Sequence, residues 1–152
     1  MVTQITLLLQ REMPSWAELP SNAAEKTHAI IHDNFMEYSL DLISQIADRD
    51  TCIWALGKSV AGLSEREYAC MTHDYPMEAL RALNNAGVGK VEQPFQFVYI
   101  SGEGADPTEK SRQMWAWVKA STILFAFSAM SQHAKAVRCL GLYQKGDFGD
   151  VP

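Results

Sequence analysis

A chain of 152 residues fits one domain, and at that length roughly two-thirds of the unfolded surface can be buried. Its 47% hydrophobic and 20% charged residues are ordinary globular values, which excludes a disordered or low-complexity chain. A net charge of −5 with no dense Lys/Arg cluster excludes nucleic acid as the expected partner and leaves small molecules or proteins.

The three cysteines, Cys52, Cys70 and Cys139, are odd in number and far apart, so neither a disulfide framework nor a metal site is expected. They suit reduced thiols in a cytoplasmic protein. The opening TQITLLLQRE has no basic segment before its short apolar run, so it predicts neither a leader nor a membrane span.

In chain order, Ile5 to Leu9 predicts a first strand, followed by a loop broken by Pro14 and Pro20. Ala29 to Ile31 predicts a second strand, ending in the turn formers His32, Asp33 and Asn34. Leu40, Ile43, Ile46 and Ala47 recur at helical spacing and predict a helix with one buried face. Asp50 to Leu56 predicts a third strand, with Gly57-Lys58-Ser59 beyond its carboxyl end. Ser64 and Glu67 form a capping box that opens a longer helix with apolar positions Tyr68, Met71, Tyr75, Leu80 and Leu83. Asn84 to Gly89 supplies the asparagine and glycine that a left-handed cap requires. Phe95 to Ile100 is a continuous apolar run, the pattern of a parallel strand buried on both faces. After the Ser101-Gly102-Glu103-Gly104 loop, Asp106-Pro107-Thr108-Glu109 predicts a helix start. Beyond Ala120 the pattern loosens, with AKAVRCLGLY readable as strand or short helix and QKGDFGDVP as a frayed end, so 121–152 forms a divergent tail.

Strands alternating with helices give an α/β fold with a parallel sheet, and no linker divides the chain. Ligands of such sheets bind at the carboxyl ends of the strands, which directs attention to the loop after Ile100.

Pro14-Ser15-Trp16, Asn22 to Lys26, Glu65 to Leu83 with its Thr72-His73-Asp74-Tyr75, and above all YISGEGADPTEKSRQMWAWVK from Tyr99 to Lys119 carry a family likeness. In these stretches the chain resembles the atypical extended short-chain dehydrogenase/reductases, NAD(P)-binding and epimerase-like proteins with a Rossmann fold. The resemblance spans Thr3 to Lys119. It implies a Rossmann-like parallel sheet with flanking helices that lacks the first glycine-rich βα unit, as if shortened at its amino end. No GxxGxxG sequence occurs in the chain.

The resemblance also implies site residues. Reduction of a carbonyl in this superfamily uses a serine or threonine on the oxygen, a tyrosine as proton donor and a lysine four residues later. Ser101 matches the serine, and its bland role is to cap backbone groups in its loop. Lys119 matches the lysine, which also binds the cofactor ribose. Trp115 stands where the tyrosine would be, and an indole N–H donates but cannot shuttle a proton. Arg11 occupies the place of a residue that receives a 2′-phosphate, favouring NADP over NAD, although the missing phosphate turn tilts the reading toward a solvated surface arginine. Asp33 corresponds to a residue near adenine, and Leu56 and Gly57 to the loop beside the adenine ribose. Tyr75 and Tyr99 read better as packing residues.

Two functions remain open from sequence. One is an NADP-linked oxidoreductase or epimerase-like protein of small-molecule, secondary metabolism. The other is a non-catalytic remnant that meets a protein partner, or another copy of itself, through an exposed sheet edge.

Overall fold

The computed structural model describes residues 1–59, 61–89, 95–101, 118, 119, 122 and 136–141. Five strands and four helices are present among them: β1 (Ile5–Leu9), α1 (Ser21–Ala24), β2 (Thr27–Ile31), α2 (Leu40–Ile46), β3 (Thr51–Trp54), α3 (Glu65–Ala69), α4 (Tyr75–Asn85), β4 (Gln96–Ser101) and β5 (Ala136–Gly141). The alternation is that of an α/β fold.

All pairings among these strands are parallel, but the strands fall into two sheets rather than one. The first is β1-β2, with Ile5 opposite Thr27 and Leu9 opposite Ile31. The second is β3-β4-β5, with Trp54 opposite Tyr99 and Ser101 opposite Gly141. Among the described residues no ladder joins β1 to β3.

β4 is the middle strand of its sheet, and Phe97, Val98 and Tyr99 are all buried, so both of its faces are covered. That burial explains why its sequence is continuously apolar rather than alternating. β3 does alternate, with Trp54 buried and Ile53 64% exposed.

The helices start where short polar side chains satisfy free backbone donors. Ser39 Oγ accepts from the Leu42 amide at 3.1 Å and opens α2. The buried face of α2 is Leu42 and Ile43 with Ile46 beside them, whereas Leu40 is 87% exposed. Leu40 thus departs from the expected stripe, because the first residue after the cap turns away from the sheet. At Ser64 the capping box forms in full: the Ser64 amide donates to Glu67 Oε2 at 2.9 Å and the Glu67 amide to Ser64 Oγ at 3.3 Å.

The long helix expected after Ser64 forms with a π-helical turn, Cys70–Asp74, between α3 and α4. Pro76 lies just beyond it and has no amide hydrogen, so a regular α-helix would leave the Thr72 carbonyl without a donor. The widened turn and two outside hydroxyls absorb the defect. Tyr99 Oη donates to the Thr72 carbonyl at 3.2 Å, and Thr122 Oγ1 lies at the same distance from it while sharing its single proton with the nearer Val118 carbonyl at 2.8 Å.

α4 ends in a Schellman motif: Gly87 takes φ +85°, its amide bonds the Asn84 carbonyl and the Val88 amide bonds the Leu83 carbonyl. The core lies between α4 and the strands and includes Met77, Leu80, Leu83, Phe95 and Phe97. Phe35, from the loop after β2, joins it by packing edge-on to Trp54 and stacking on Tyr75, each at 5.8 Å between ring centres.

Candidate functional site

Parallel strands bring their carboxyl ends to one side of a sheet, and most of the anticipated residues lie there. Arg11 follows β1 by two residues and Asp33 follows β2 by two, both exposed. The Leu9–Ile31 pairing and the His32 amide bonding the Leu9 carbonyl at 2.8 Å make these neighbouring loops. The Asn34 side chain then tightens the second loop by accepting from the Met36 amide at 3.2 Å.

In the second sheet Leu56 and Gly57 follow β3, and Ser101 is the last residue of β4. Leu56 is half-buried against the core. Gly57 is exposed, and a Cβ placed on it would meet nothing within 4 Å. The loop beside it is open.

Lys119 lies on the segment that carries Val118 and Thr122, both buried. Thr122 fixes this segment to the π turn through the Thr72 carbonyl, and Tyr99, two residues before Ser101, meets the same carbonyl. Burial lowers the pKa of the Lys119 ammonium. Trp115 lies outside the described residues, as do the 102–106 loop and the expected helix start at 106–109. Tyr75 and Tyr99 pack in or against the core as anticipated.

A groove of about 420 Å³ separates the two sheets, and the sequence alone did not reveal it. Residues 6–10 form one wall, residues 49 and 51–56 the other, and Phe35, Ile46, Ala79, Leu83 and Phe95 contribute to its base. Arg49 closes one end, its Nε donating to Thr6 Oγ1 at 3.0 Å while its guanidinium also pairs with Asp48.

Burial pushes the Cys52 thiol in this wall up to about 12, and burial, then the nearby Cys52 and Glu78, raises the Tyr38 phenol as well. Both groups are therefore neutral at physiological pH. Tyr38 Oη and Trp54 Nε1, both from lining residues, are buried with no hydrogen-bond partner among the described residues. Two parallel runs of apolar residues gave no hint that they would face each other across a gap, because sequence pattern reports faces and not edges.

The described residues contain no cluster of three or more metal-ligating side chains and no helix long and apolar enough to cross a membrane. No family model matches the chain. It is 23% identical over 107 residues to the leucinostatins biosynthesis cluster protein T of Purpureocillium lilacinum, a match that covers 70% of this chain and 36% of that protein. The chain thus spans little more than a third of the relative it matches, a protein named for a biosynthetic cluster.

Proposed function

We propose that the chain is a Rossmann-like, NADP-linked oxidoreductase or epimerase-like module acting on a small molecule in secondary metabolism. The observation that carries this reading is positional. Arg11, Asp33, Leu56 with Gly57, and Ser101 all lie at the carboxyl ends of parallel strands, where ligands of open α/β sheets bind. The biosynthetic-cluster relative supports the metabolic setting.

The residues present suit the adenosine end of the cofactor better than its middle. Arg11 offers a cation for a 2′-phosphate, Asp33 a carboxylate near adenine, and the open space at Gly57 room for a ribose. The GxxGxxG turn that would hold the pyrophosphate does not occur in the sequence. NADP, when bound, supplies or accepts a hydride. The chain's own contribution is the Ser101 hydroxyl, which can donate to a substrate oxygen, and Lys119, whose lowered pKa eases loss of its proton. Trp115 can donate through its indole N–H but cannot relay a proton, so the acid–base step falls to another group. The thiols of Cys52 and Cys70 are free, which suits a cytoplasmic setting for this role.

Titration calorimetry with NADPH, and NADH for comparison, tests the proposal. The expected result is micromolar binding of NADPH, about −8 kcal/mol, that weakens in Arg11→Ala. Absence of heat with a folded sample overturns it.

A further inference from the structure

We draw no further inference here: the strongest candidate, the buried polar atoms His32 Nε2, Tyr38 Oη and Trp54 Nε1 that meet no partner among the described residues and gather about the His32 and Phe35 rings beside the groove, belongs to the space between the two sheets already described, and nothing in the structure shows what fills that space.

Discussion

The Tyr99 hydroxyl donates to the Thr72 carbonyl across 3.2 Å, joining the middle strand of the larger sheet to the π turn where Pro76 removes a helical donor. Thr122 approaches the same carbonyl, also at 3.2 Å. A backbone defect in one element thus becomes the docking point for two others.

Tyr99→Phe removes the hydroxyl that bonds this carbonyl, and Thr122→Val removes one whose proton is shared between it and the Val118 carbonyl at 2.8 Å, so each should destabilise the chain by about 1 kcal/mol. Removing both strands a buried acceptor, and the double variant should lose more than the sum of the two. Urea unfolding of the four proteins checks this. A double variant no weaker than the worse single one would show that the carbonyl does not depend on them.

Gly57 and Gly87 should respond oppositely to alanine. At Gly57 an added Cβ would find no atom within 4 Å and the backbone is ordinary, so Gly57→Ala should leave the melting temperature unchanged within error. Gly87 sits at φ +85° in the cap of α4, and Gly87→Ala should cost about 1 kcal/mol. Should Gly57→Ala nonetheless abolish NADPH binding in an otherwise stable protein, the open loop beside it would be part of the cofactor site.

The capping box gives the chain a dependence on acid. Hydrogen bonds from Ser64 lower the Glu67 pKa below its ordinary value of 4.5. A depressed folded-state pKa stabilises the fold above the unfolded value and is lost as pH falls through the folded one. The stability gap between the parent and Glu67→Gln should therefore be full above pH 4.5 and close below it, as read by thermal melts across pH 3 to 7. A gap that widens in acid would contradict the assignment.

Alkali acts through the groove. The Cys52 thiol has an ordinary value of 9.0 and is raised to about 12 by burial, so its contribution is complete below pH 9 and disappears as pH climbs toward 12. The same neutrality protects it from alkylation, since the thiolate is the nucleophile. Peptide mapping after iodoacetamide at pH 8 should find Cys52 modified at least tenfold more slowly in the native chain than in urea. Equal rates would mean the groove admits water to the sulfur.

How much of this is legible in sequence depends on which physical signal each feature writes there. Ser64 with Glu67 and the Asn84–Gly89 cap are readable because capping chemistry is local and needs particular residue types. The double burial of β4 shows in Phe95 to Ile100 because both faces have to be apolar. Leu40 misleads because periodicity cannot tell the first residue of a helix from an inward one. Phe35 writes no such signal, since a loop aromatic belongs to no period, yet it is 3% exposed and holds Trp54 and Tyr75 together. The division into two sheets is invisible for a deeper reason: hydrogen-bonding edges are backbone, and backbone is the same in every residue.

A sheet interrupted in its middle also has its mechanical weak plane in the middle. Pulled apart, the chain should separate between β1 and β3, where apolar contacts and the Arg49–Thr6 hydrogen bond meet the load, while β1-β2 and β3-β4-β5 come away with their ladders whole.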